Sequence, residues 1–183
     1  IKFTSSKFLI LHLPASIFLF GFLYLAIPTF YNYDKSNIEK VICKNNNIEC
    51  SIMGGVNYSF YPTPRIKIKD IIINDFFEKK KTLIKVESAV IKLSIKNLLA
   101  KEKHQFKKIK LINYEINFNL KNLWKYENIF TKNIFPFPIV FANGKVIFFD
   151  GKDYVATVND ANIDLKFVKD SIDTILKGKF LED

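Results

Sequence analysis

Cys43 and Cys50 are the chain's two cysteines, and Lys44-Asn45-Asn46-Asn47-Ile48-Glu49 between them is Asn-rich and reads as a turn. In an oxidising compartment the pair could close a short loop, contributing roughly 2–3 kcal/mol on the chain-entropy model; two free thiols fit the sequence equally well. Zinc needs four ligands, and the only histidines are His12, inside an apolar run, and His104, far along the chain. Asp70 and Asp75 straddle Ile71 to Asn74, and Asp150, Asp153 and Asp160 cluster near turns, where aspartates ordinarily accept backbone hydrogen bonds. His104 lies in the solvated stretch Lys101-Glu102-Lys103-His104-Gln105, with no neighbour to make it a general base. The patterns G-x-S-x-G, G-x-x-x-x-G-K-[ST] and H-E-x-x-H are all missing from the sequence. The expectation is a non-enzyme with no catalytic residue, cofactor or metal.

The solvent of this chain is set by Phe8 to Phe30, an uncharged run of 23 residues. At ~1.5 Å per residue it reaches roughly 34 Å as a helix, enough to cross a hydrocarbon core of about 30 Å once. A cleaved secretory signal is the rival, with Lys2 and Lys7 as its charged start. Against it stand the length of the run and the exit Leu25-Ala26-Ile27-Pro28, which has no clean small-x-small cleavage site. Lys2 and Lys7 before the run are balanced by Lys35, Lys40 and Lys44 after it, so the charges choose no orientation. The opening on Ile1 and the close on Asp183, straight after a strand-like run, read as a piece of a longer protein.

The organisation expected is an anchor over 1–30 and one domain over 31–183. The formal charge of +10 could point to nucleic acid or anionic lipid. Arg65 is the lone arginine, however, and lysines spread evenly along strands make a soluble face, so no nucleic-acid partner is expected.

From Asp34 to Lys44 the helical spacing of Ile38, Val41 and Ile42 predicts a short amphipathic helix capped by Asp34 or Ser36. The period then changes to two. Strands are predicted over 48–53 and 56–61 around Gly54-Gly55, and from Arg65 with a bulge at Asp70-Ile71. Others follow over 82–95, 112–120, 139–149, 153–158 and 161–168, with a last one from Ile175 to Leu181. A second short helix is expected over 97–104 and a long connection over 121–138. Turns are expected near Asn143-Gly144 and Asp150-Gly151.

A single antiparallel sheet with one apolar face and too few helices to cover it has three outcomes: a sandwich, a dimer, or a curved trough filled by something apolar. In the trough, acyl chains would gain about 0.8 kcal/mol per buried CH₂. The pleat would place Ile66, Ile68, Ala89, Ile91, Leu93, Ile95, Ile112, Tyr114, Ile116, Phe118 and Leu120 on the trough wall. Lys67, Lys69, Lys92, Asn113, Glu115, Asn117 and Asn119 would face water.

The order of these segments resembles the opening of the AsmA family. An anchor and short helix precede a Gly-bearing hairpin, which runs through Tyr61-Pro62-Thr63-Pro64 into an alternating strand ending Asp70-Ile71-Ile72-Ile73-Asn74. VIKLSIKNLL over 90–99 is similar to that family's strand and Leu-Leu turn, 109–120 to its following long strand, and FANGKVIFFD over 141–150 to a later strand ending in Asp. Lys101, Asn97 and Tyr114 depart from the pattern, standing where Gly, Pro and Pro are common. The resemblance implies a mainly β protein with an N-terminal transmembrane helix, its curved antiparallel sheet forming an open β-groove with one or two short helices. It would sit in the bacterial inner membrane with its bulk in the periplasm, related to chorein-type bridge-like lipid transfer proteins. Its role would be phospholipid transport and outer-membrane biogenesis, with membrane lipids and other cell-envelope proteins as partners. The alternative is a periplasmic scaffold for outer-membrane protein assembly that carries no lipid.

Overall fold

The computed structural model describes residues 10, 12–43, 48–78, 81–100, 104–126, 137–168 and 171–180. The expected start of the anchor at Phe8, the Asn-rich turn at 44–47, residues 101–103, most of the long connection and Leu181 lie outside them. With Pro14 in its first turn, where a missing N–H costs nothing, α1 (Leu13–Ala26) runs into a 3₁₀ turn over Ile27–Phe30. No residue of α1 is buried, and Leu13–Phe30 is long and apolar enough to cross a membrane. The next helix, α2 (Lys35–Ile42), starts where Asp34 accepts a hydrogen bond from Ser36 N at 3.3 Å, as its sequence predicts. Cys43 at its end is disulfide-bonded to Cys50 at the start of the first strand, with Cα atoms 6.0 Å apart. Reduction should lower stability by about 2–3 kcal/mol, seen as a lower urea midpoint in detergent.

The rest is one curved, open sheet of eight strands. These are β1 (Cys50–Ile52), β2 (Val56–Ser59), β3 (Arg65–Asn74), β4 (Thr82–Leu93), β5 (Phe106–Asn119), β6 (Ile139–Asp150), β7 (Asp153–Val168) and β8 (Ser171–Phe180). β1 and β2 share one edge of β3, and the order then follows the chain to β8. All pairs are antiparallel except β5 with β6, which run parallel. The meander is therefore broken by a crossover, whose described start is a 3₁₀ turn over Leu120–Asn122 and a helical turn over 123–126.

Three local expectations are corrected. In the described part of the helix expected over 97–104 there is instead a hydrogen-bonded turn over 96–99, because Asn97 sits at φ +61°, outside the helical region. Residues 153–168 form one strand rather than two. Asn143-Gly144 is no turn: it lies in the middle of β6, where Asn143 at φ +56° bends the strand. Asp150-Gly151 is the hairpin turn, with Gly151 at φ +71°.

Candidate lipid-facing trough

A crease crosses the sheet and decides which side chains share a face. Asp70, Asn113, Asn143 and Asp160 take positive φ on β3, β5, β6 and β7, a conformation that Asn and Asp tolerate best after Gly. Each sits at the same level as its neighbours: Asp70 lies between the pairs Lys69↔Ser88 and Ile71↔Val86, and Asn113 between Ile112↔Ser88 and Tyr114↔Val86. Side chains of the same types brace it. Asn113 Nδ2 donates to Glu87 Oε2 at 2.8 Å, and Asn143 N to Asn162 Oδ1 at 3.3 Å. Past each such residue the alternation shifts by one. On β5 the apolar face therefore runs Ile109, Leu111, then Tyr114, Ile116, Phe118.

Tyr114 fills the crease. Its ring lies against Gly144, packs edge-on to Phe141 at 5.0 Å, and its hydroxyl donates to Ala161 O at 2.9 Å. Burial pushes the Tyr114 phenol up to about 12, and burial with the neighbouring Tyr24 does the same for Tyr58. Because both folded-state values exceed the ordinary 10, the stability they carry is complete below pH 10 and is lost as pH rises towards 12. A urea midpoint flat up to about pH 10 and falling between there and about pH 12, less steeply in Tyr114→Phe, is the expected result.

The apolar face differs along its width. On β3 and β4 it is sealed: Ile68, Leu83, Val86 and Ile91 are fully buried, and Ile38 of α2 belongs to the same core. Tyr58 donates to Leu25 O at 2.9 Å and Ile52 N to Glu39 Oε1 at 2.6 Å, tying the 3₁₀ turn's approach and α2 to this half. Towards β8 it opens. Phe118 and Phe148 stack at 6.1 Å, Ile163, Leu165 and Phe167 are half-buried, and Leu176, opposite Ile163, is 48% exposed. The end away from α1 is closed by Tyr126, which contacts Phe118 and Phe77 and donates to the buried Asp75 at 2.6 Å.

Of the expected wall residues, Ile66, Ile68, Ala89, Ile91, Leu93, Tyr114 and Ile116 share the apolar face but lie in its sealed part, and Phe118 is half-buried at the opening. The crease turns Ile112 to the opposite face, while Ile95 and Leu120 lie beyond the ends of β4 and β5, both exposed. Asn113, Glu115, Lys67, Lys69 and Lys92 are exposed as expected, with Asn117 and Asn119 half-buried. The open surface falls instead on Phe148, Ile163, Leu165, Phe167 and Leu176, whose alternation was legible as strand but gave no reason to prefer it as wall.

The opposite face is polar, and its crease forms a depression of about 510 Å³ lined by Asp70, Glu87, Asn113, Glu115, Asn143 and Asp160 with Lys85 and Lys145. Among the described residues no group of three His, Cys, Asp or Glu could hold a metal. No protein-family model matches the chain, and no curated protein matches it.

Proposed function

We propose that this chain is a membrane-anchored β-groove protein of the AsmA type, in which phospholipid acyl chains lie along the open half of the apolar face. The observation that carries this reading is that the apolar face sealed over β3–β4 extends through half-buried Ile163, Leu165 and Phe167 on β7 to Leu176 and Phe180 on β8, which are 48% and 69% exposed. An exposed apolar strip of this kind marks a binding surface, and the anchor keeps it beside a supply of acyl chains. The Cys43–Cys50 disulfide supports an oxidising compartment, hence a periplasmic bulk behind a single inner-membrane span. In this reading the protein takes part in lipid transport between membranes and has no enzymatic activity.

The alternation of β7 and β8 supplies the test. Photo-crosslinking residues at 165 and 176 face the trough, whereas 164 and 177 face the other side. Phospholipid adducts at the first pair and few at the second are expected. A folded protein with adducts at neither would leave the scaffold reading, in which the same strip docks an envelope protein.

A further inference from the structure

The anchor and the sheet are locked together at one level. Tyr24 of α1 donates its hydroxyl to Ile95 O at 2.8 Å and accepts from Leu98 N at 3.3 Å. Tyr31 donates to Leu99 O at 2.7 Å, and Phe22 packs edge-on to Phe60 at 5.5 Å. Tyr24 precedes Phe30, the last residue of the apolar run, by six positions, which is roughly 10 Å of helix rise. Ile95 and Leu98 are thus held beside Tyr24, inside the end of the apolar run, and Leu99 beside Tyr31 just past it, with Ile95 and Leu99 at 58% and 47% exposure.

The same end of the sheet carries a second, independent feature. Arg65, Lys92 and Lys108 stand directly opposite one another on β3, β4 and β5, and one step along, Lys67 and Lys110 flank Val90. All lie on the face opposite the apolar one. Like charges directly opposed destabilise a sheet unless an anion sits over them. Among the described residues no ion pair includes any of the five; Arg65 Nη2 donates to Tyr61 O, which leaves the four lysines as the row's free charges.

We propose that this end is a bilayer-docking face. Ile95 and Leu99 enter the interface of the leaflet in which α1 ends, and the row Arg65, Lys92 and Lys108, with Lys67 and Lys110, holds anionic phospholipid headgroups. The inference rests on α1 spanning a membrane and not on lipid lying in the trough, so adducts at 165 and 176 neither support nor weaken it.

The native Trp124, the chain's one tryptophan, follows the far end of β5, on the order of 45 Å of strand from Phe106. The 183-residue chain is placed in nanodiscs, either native or as Ile95→Trp and Leu99→Trp in a Trp124→Phe background, with circular dichroism checking the fold. Brominated lipid should quench a tryptophan at 95 or 99 about twofold and leave Trp124 nearly unchanged. In mixed phosphatidylcholine and phosphatidylglycerol discs, brominated phosphatidylglycerol should quench more than brominated phosphatidylcholine at equal fraction. Lys92→Gln with Lys108→Gln, or high salt, should equalise the two. Equal quenching at 95, 99 and 124 overturns the docking; equal quenching by the two lipids without the charge substitutions overturns the headgroup assignment.

Discussion

Gly144→Ala should destabilise the domain by about 1–3 kcal/mol, an effect of overpacking rather than of backbone strain. A Cβ at this position would stand 2.3–2.5 Å from three atoms of the Tyr114 ring. That ring cannot swing aside, since it is 3% exposed, wedged against Phe141 and tethered to Ala161 O. Because the crease is where the sheet changes face, a shift there would also disturb the pairing of β6 with β7. Urea denaturation of the single and double variants checks the mechanism. Tyr114→Ala alone costs about 3–5 kcal/mol through the cavity it leaves, and Gly144→Ala should add less than about 0.5 kcal/mol on top of it. Additive losses would place the defect elsewhere.

The second large effect is expected at the end away from α1. Asp75 Oδ1 accepts from Phe77 N at 2.7 Å and Glu78 N at 3.1 Å, and Oδ2 accepts from Tyr126. Both residues are buried, so Asp75→Ala strands three donors and should cost about 3 kcal/mol or more. Asp75→Asn keeps an acceptor for the two amides, and Tyr126→Phe removes one donor; each should cost only about 1–2 kcal/mol. Trp124, two residues before Tyr126 and with Lys125 near its ring, reports this corner selectively. Its fluorescence anisotropy should fall in Asp75→Ala before the sheet unfolds. Anisotropy unchanged until global unfolding would show that the crossover is held by something other than this clasp.

Each of these sites was visible in the sequence as residue types and invisible as an arrangement. Asp75 read as an ordinary turn aspartate, which is half its role; its partner Tyr126 is 51 positions away, in a segment with no period to place it. Asn143-Gly144 carries the strongest two-residue hairpin signal in the chain, yet the left-handed conformation that suits a hairpin also suits a bend within a strand. Only the neighbouring strands, each with its own Asp or Asn at the same level, distinguish the two.

What the sequence determined by itself is local. A run apolar on every face makes a helix long and apolar enough to cross a membrane, and period-two alternation makes strands with one apolar face; both depend on neighbours a few residues apart. The short separation of Cys43 and Cys50 likewise made their bond geometrically accessible. The tertiary structure alone decided that β5 and β6 pair in parallel, because strand direction follows from where a long crossover lands. It also decided which half of the apolar face is sealed. Alternation states that Ile68 and Leu165 each point to one side of a sheet, but whether protein lies over that side depends on α2 and the end of α1 folding back onto β1–β3. Those contacts are made by segments tens of residues away, and the period of a strand holds no record of them.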